Sequence, residues 1–229
     1  SLVAWLSVPN QLDVCNRIEG QTMTPLILTS MADMHNLTAD TIIDVRSPAE
    51  YAEDHLPGAI NLPVLNDIER AEVGAIYKQV SPFAARKIGG ALVARNTATH
   101  LQGALAGKDG AWQPLIYCWR GGQRSSAFAT ILDQVGWRVK LLQGGYQSYR
   151  REIVRTLYKT PLPHRLMLIS GSTGTAKTAL LHQLVAKGAQ VLDIEEIAAH
   201  RGSLFGGIGI AQPSQKMFET SIASRLATL

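Results

Sequence analysis

The stretch "QPLIYCWRGGQRSSAFATILDQVG", residues 113–136, runs from an apolar segment through a turn rich in glycine and arginine into an amphipathic pattern. The apolar run over 113–118 is too short for a helix and predicts a buried strand, while residues 124–136 predict a helix stopped by Gly136. A strand that passes through a tight turn into a helix is the building unit of α/β proteins. Cys118 stands at the junction, at the end of the strand and beside the start of the helix.

Upstream, "TIIDVR" (41–46) predicts a strand, and "SPAEYAEDH" (47–55) predicts a helix with Ser47 as N-cap, Pro48 in the first position and acids in the first turn. "LPGAINLPV" (56–64) supplies a turn and a short strand. From Asp67 to about Gly107 the pattern is helical, with breaks expected near "SPF" (81–83) and "IGG" (88–90). Downstream, "WRVKLLQGG" (137–145) predicts a strand and turn, and "YQSYRREIVRTLYK" (146–159) a helix. Strands alternating with helices predict an α/β domain with a mainly parallel sheet and flanking helices.

"TPLPHR" (160–165), with two prolines, reads as a linker. Beyond it, "RLMLIS" (165–170) predicts a strand, "GSTGTA" a glycine loop, "KTALLHQLVAKG" (177–188) a helix and "AQVLDIE" (189–195) a second strand. "QPSQKMFETSIASRLATL" (212–229) predicts a last helix. One βαβ unit cannot cover both faces of a parallel sheet, so this part reads as an incomplete P-loop α/β domain. The expected organisation is a leader or upstream sequence over 1–22, with Met23 after it, a first domain over 23–160 and the partial P-loop domain over 161–229.

Hydrophobic residues make up 46% of the 229, which suits a globular chain with a buried core. A net charge of +4 and a pI near 9.2 permit an anionic partner without requiring one. The two cysteines, Cys15 and Cys118, lack Cys-x-x-Cys spacing, so neither a disulfide framework nor a metal-ligand set is indicated. No run approaches the roughly 18 apolar residues of a membrane span, and Arg17 follows the apolar start rather than preceding it, the wrong order for a signal peptide. A cytoplasmic location is expected.

Cysteine is a nucleophile as thiolate, a form favoured by a helix N-terminus and neighbouring arginines. The candidate anion loop comprises Cys118, Trp119, Arg120, Gly121, Gly122, Gln123, Arg124 and Ser125. Its glycines let successive N–H groups turn inward, and Arg120 and Arg124 add charge and forked hydrogen bonds. An inert buried cysteine at a strand end is the competing reading.

Residues 35–150 resemble the rhodanese family, on "IIDVRSPAEYAEDHLPGAINLPV" with its Asp-Val-Arg, Glu50 and His55, and on a cysteine loop followed by "LLQGGYQSY". The resemblance implies a rhodanese-like domain in which Cys118 carries a transferred sulfur, with Asp44 and Arg46 as supporting residues that brace the site. A structural ion pair is the competing reading of those two. The usual rhodanese loop reads Cys-x-x-Gly-x-Arg; here Cys118-x-x-Gly121-x-x-Arg124 is one residue longer, a spacing shared with cysteine phosphatases. Both a sulfurtransferase and a phosphatase therefore stand as alternatives, although Tyr117 takes the place where the phosphatase signature usually has His.

"GSTGTAKT" comprises Gly171, Ser172, Thr173, Gly174, Thr175, Ala176, Lys177 and Thr178, between a predicted strand and a predicted helix. That is the context a phosphate-binding P-loop needs: backbone N–H groups cradle phosphates, Lys177 reaches their outer oxygens and Thr178 is placed to ligate Mg²⁺. Ala176 replaces the last glycine of the pattern. Asp193, in "VLDIEE", is equally well read as a helix-start acid. The basic stretch of Arg150, Arg151, Arg155, Lys159 and Arg165 reads either as a solvated face or as an RNA contact.

A cysteine loop followed by a P-loop is similar to the tRNA 2-selenouridine synthase family, over residues 35–221, through "YCWRGGQRS", "GAINLPVLNDIERAEVGAIYKQ", "GSTGTAKT", "DIEEIAAHRGSLFG" and "QPSQKMFE". That resemblance implies a transferase that replaces sulfur by selenium in the wobble 2-thiouridine of tRNA. It implies selenophosphate as donor and geranyl diphosphate as the source of a geranyl group placed on the sulfur. It further implies tRNA as a partner, together with the enzyme that makes selenophosphate. Whether the P-loop takes geranyl diphosphate or a nucleotide with Mg²⁺ stays open at the level of the sequence.

Overall fold

The computed structural model describes residues 23–35, 37–172, 174–200, 209 and 211–228. The expected leader over 1–22 lies outside them. Along the chain come β1 (Thr24–Leu26), α1 (Ala32–His35), β2 (Thr41–Asp44), α2 (Pro48–Glu53), β3 (Ala59–Asn61), α3 (Asp67–Gln79) and α4 (Pro82–Gln102). They are followed by β4 (Pro114–Tyr117), α5 (Gln123–Val135), β5 (Lys140–Leu142), α6 (Gly145–Tyr158), α7 (Lys177–Ala186), α8 (Ile194–Ile197) and α9 (Gln215–Ala227).

The five strands form one parallel sheet in the order β1-β5-β4-β2-β3. All four residues of β4 are buried, as expected of a central strand covered on both faces. The two-residue alternation of a strand divides its side chains. Ile116 and Cys118 join Ile43, Val45, Phe128 and Leu132 on one face, while Leu115 and Tyr117 join Leu142, Tyr149 and Ile153 on the other. Cys118 thus leaves the sheet on the side covered by α5.

The helix after β2 follows the sequence expectation: Pro48 is its first residue and the Ser47 N–H donates to Glu50 Oε2 at 3.2 Å. The expected break at "IGG" is absent, since α4 runs through Gly89 and Gly90. A Cβ on Gly89 would come within 3.3 Å of Val73 Cγ1, so the glycine lets α3 and α4 approach closely rather than ending a helix. The strands expected over 165–170 and 189–195 are likewise not formed among the described residues. A strand needs a hydrogen-bonded neighbour, and without one Leu166, Met167 and Leu168 are 63%, 90% and 85% exposed. The helix α7 between them does form. Sequence pattern gave no sign of β1, whose three residues include Pro25; a proline is tolerated there because β1 is an edge strand.

The last helix returns to the first part of the chain. Ala223 of α9 enters the cluster of Leu115, Tyr117 and Tyr149, and Thr220 Oγ1 donates to Asp54 Oδ2 at 3.1 Å. Tyr146 Oη donates to the same oxygen at 2.7 Å. Glu219 pairs with Arg150 and accepts from Tyr158 Oη at 2.8 Å, while Lys216 Nζ reaches Glu53 at 2.6 Å. Among the described residues no helix is long and apolar enough to cross a membrane.

Candidate functional site

Cys118 follows β4 directly and is 3% exposed. Ser125 Oγ, in the first turn of α5, lies 3.1 Å from both Cys118 Sγ and Gly122 O, so its single proton is shared between them. The first N–H groups of α5 have no intrahelical acceptor and open onto the loop, the arrangement that suits an anion.

The loop is held from behind by the start of α6. The Tyr146 N–H donates to Cys118 O at 2.8 Å and the Gln147 N–H to Trp119 O at 3.0 Å. That approach is open only to glycine. Gly145 has φ +56°, and a Cβ there would fall 2.3 Å from Cys118 O and 2.5 Å from Gly121 N. Gly145→Ala is therefore expected to destabilise the protein by about 1–3 kcal/mol through overpacking and to displace the Cys118 loop. A lower urea midpoint, with faster alkylation of Cys118 by iodoacetamide, is the result to look for; an unchanged midpoint would show that α6 simply backs away.

The two loop arginines differ in their commitments. Arg124 Nη1 pairs with Glu50 Oε2 at 2.8 Å, and Arg70 Nε meets the same oxygen at 2.9 Å. Burial on its own would raise the Glu50 pKa, but the hydrogen bond and charge of Arg124, the Ser47 N–H and the charge of Arg70 together hold it below the ordinary carboxylate value. Arg120 is exposed and has no ion-pair partner among the described residues.

Asp44 and Arg46 form a fully buried pair. Arg46 Nη2 lies 2.6 Å from Asp44 Oδ2, and the same nitrogen donates to Asp54 O at 2.6 Å. The guanidinium also lies 4.0 Å from the centre of the Tyr146 ring. Burial opposes its charge, but the hydrogen bonds and charge of Asp44 outweigh that and move the Arg46 pKa up. Asn61 Nδ2 donates to both Asp44 O and Arg46 O at 2.9 Å, tying β3 to the turn after β2. Tyr117 turns its hydroxyl to the Leu56 N–H at 3.2 Å; burial and the charge of Asp44 keep it protonated. His55 stacks on Tyr51 with ring centres 3.9 Å apart, and its Nδ1 lies 2.9 Å from Tyr51 O.

In the second loop, Lys177 is the first residue of α7. Its Nζ donates to Gly171 O at 2.8 Å and Ser172 O at 3.0 Å, so the lysine curls over the loop's own carbonyls. Thr175 Oγ1 donates to Ser172 O at 2.8 Å; Thr173 lies outside the described residues. Gly174 and Thr178 are exposed. Ala176 has φ +58°, a left-handed conformation that disfavours alanine by roughly 1–2 kcal/mol relative to glycine. Asp193 accepts from the Glu196 N–H at 3.0 Å as the N-cap of α8. The cysteine loop leads into α5 and the glycine loop into α7, and no hydrogen bond joins them among the described residues.

Sequence reasoning did not find the backing of the loop by Gly145 and Tyr146, nor the Asp54 carboxylate that Tyr146 and Thr220 share. The "LLQGGYQSY" motif contained the first pair; nothing local marks the second.

Comparison with known proteins matches residues 28–152 to the rhodanese-like domain and residues 164–229 to the tRNA 2-selenouridine synthase AAA domain. A tRNA 2-selenouridine synthase of Nitrosomonas europaea is 42% identical over 193 residues, covering 83% of this chain and 50% of that one. One from Bdellovibrio bacteriovorus is 38% identical over 196 residues, covering 82% and 49%. The chain thus spans about half the length of the curated relatives it matches. Among solved structures, the N-terminal domain of a Clostridium difficile 630 protein is 32% identical, with 58% of this chain and 99% of that one covered at a TM-score of 0.48. With the first of these family matches extending over more than half of its residues, the chain belongs to the rhodanese-like domain family.

Proposed function

We propose that this chain carries the rhodanese-like unit (residues 23–160) and part of the P-loop unit (161–229) of a cytoplasmic tRNA 2-selenouridine synthase. One observation carries the reading: a cysteine loop one residue longer than the usual rhodanese loop precedes a glycine loop ending in Ala176-Lys177-Thr178 in one chain, and relatives of that name match across both. The longer loop suits a tetrahedral phosphate derivative. Selenophosphate then sits with its phosphate against the α5 N-terminus and Arg120, while Cys118 holds and presents the selenium. Arg124, fixed by Glu50, lines the other side. Asp44 and Arg46 brace the turn without touching the donor.

The chemistry balances without an oxidant. The 2-thio sulfur displaces diphosphate from geranyl diphosphate, forming an S–C bond and a thioether at C2. The Cys118 thiolate takes the proton of hydrogen selenophosphate, the freed selenium adds to C2, geranylthiolate leaves and takes that proton from Cys118, and water cleaves the Se–P bond to release phosphate and the 2-selenouridine. In this scheme the Gly171–Thr178 loop holds the diphosphate, with Lys177 on its outer oxygens. Lys177→Ala is expected to weaken geranyl diphosphate binding about 10- to 100-fold, the loss of one or two charge-assisted hydrogen bonds. Calorimetry showing unchanged affinity would reject that role.

The function itself is tested by incubating the chain with 2-thiouridine tRNA, geranyl diphosphate and selenophosphate, then measuring nucleosides by mass spectrometry. The expected product is 2-selenouridine. Turnover of thiosulfate without RNA would favour a simple sulfurtransferase, and phosphate release from an aryl phosphate would favour a phosphatase.

A further inference from the structure

We propose that the cavity between α6 and the first turn of α9 is the seat of a single-stranded RNA segment, with phosphates on the α6 cations and one base on Trp119. This rests on the tRNA reading above and adds to it a place on the molecule. The cavity has a volume of about 650 Å³ and brings together Trp119, Arg150, Arg151, Arg155, Lys159 and Lys216, with Glu152 as its one acid.

Three of these cations are committed: Arg150 to Glu219, Arg155 to Glu152 and Lys216 to Glu53. Arg151 and Lys159 are exposed and have no ion-pair partner among the described residues. Arg151, Arg155 and Lys159 follow one another at four-residue spacing, which places three like charges in a row along one face of α6 and its cap. Like charges at that spacing repel, and a polyanion laid along the row relieves the repulsion. A small phosphate would engage only one end of it.

At the other end stands an aromatic side chain. Trp119 is partly exposed, lines the cavity and rests against Tyr146 with ring centres 5.3 Å apart. A row of cations ending on an aromatic platform is how proteins take single-stranded nucleic acid, the cations following the backbone and the ring stacking a base. Trp119 follows Cys118 in the chain, but its ring packs on the α6 side of the sheet whereas Cys118 faces α5, so the base stacked there is a neighbour of the reacting one. Lys216 comes from the far end of the chain, so the seat is complete only when α9 is docked.

The test is fluorescence anisotropy of the chain with a labelled anticodon stem-loop carrying 2-thiouridine at the wobble position, over a range of salt. The variants are the double variant Arg151→Ala/Lys159→Ala, Trp119→Ala, and Lys87→Ala on α4 as a distant basic control. The double variant replaces exposed side chains and keeps the fold. Its affinity is expected to fall about tenfold, with the slope of log affinity against log salt shallower by about 1.4, near 0.7 for each lost phosphate contact. Trp119→Ala is expected to lose about 5- to 100-fold with the slope unchanged. Lys87→Ala binds as the wild type does. Wild-type binding that both cavity variants retain in full would overturn the proposed seat and leave the tRNA reading standing, and binding lost equally in Lys87→Ala would point to a diffuse basic surface instead. Absence of binding by the wild type would overturn both.

Discussion

Cys118→Ser is expected to abolish selenium incorporation, a fall of at least about a thousandfold, while S-geranylation of the tRNA continues. Serine fits the space, because the sulfur is nearly enclosed and the loop is held by backbone hydrogen bonds from Tyr146 and Gln147 rather than by the side chain. What is lost is the sulfur, whose thiolate is the reactive form and which the far less acidic serine hydroxyl cannot replace. The glycine loop opens a different helix and keeps Lys177 in place. Mass spectrometry of nucleosides after single-turnover reactions distinguishes geranylated 2-thiouridine, which should accumulate, from 2-selenouridine, which should be missing. Loss of both products would show that the two loops do not divide the work in this way.

Arg46→Ala is expected to cost about 3–5 kcal/mol, because it leaves the Asp44 carboxylate buried without its partner. Set against a typical total of about 5–15 kcal/mol, that is enough to unfold a good part of the population at physiological temperature. The loss has two further sources: the hydrogen bond to Asp54 O and the contact with the Tyr146 ring. Urea denaturation of Arg46→Ala and of the double variant Asp44→Asn/Arg46→Met separates them from the charge itself. The double variant should lose markedly less, because no isolated charge remains. Equal losses would mean that Arg46 matters as packing and not as the counter-charge of Asp44.

Much of this was legible from short-range pattern. The apolar run before Cys118, the glycines after it and Gly136 beyond them specify strand, loop and helix locally, and Ser47-Pro48 with Glu50 specify the start of α2. Elements whose existence depends on distant partners were not legible. β1 is three residues with a proline, and it is a strand only because β5 lies beside it; the run over 165–170 is more apolar and is not a strand, because no neighbour among the described residues meets it. The site divides in the same way. Cys118 and its glycines could be read from the sequence, whereas the Glu50 partner of Arg124 is 74 residues away, and the Thr220 partner of Asp54 is 166 away.

The sheet order has a bearing on synthesis. β1 leaves the ribosome well before β5, its one neighbour among the described residues, whose Lys140 pairs with Thr24. More than a hundred residues must be translated in between, which at about 5–20 residues per second is roughly 5 to 25 seconds. Through that interval the nascent chain holds the β1 segment unpaired, a stretch open to a chaperone or to a neighbouring polysome chain until β5 arrives beside it.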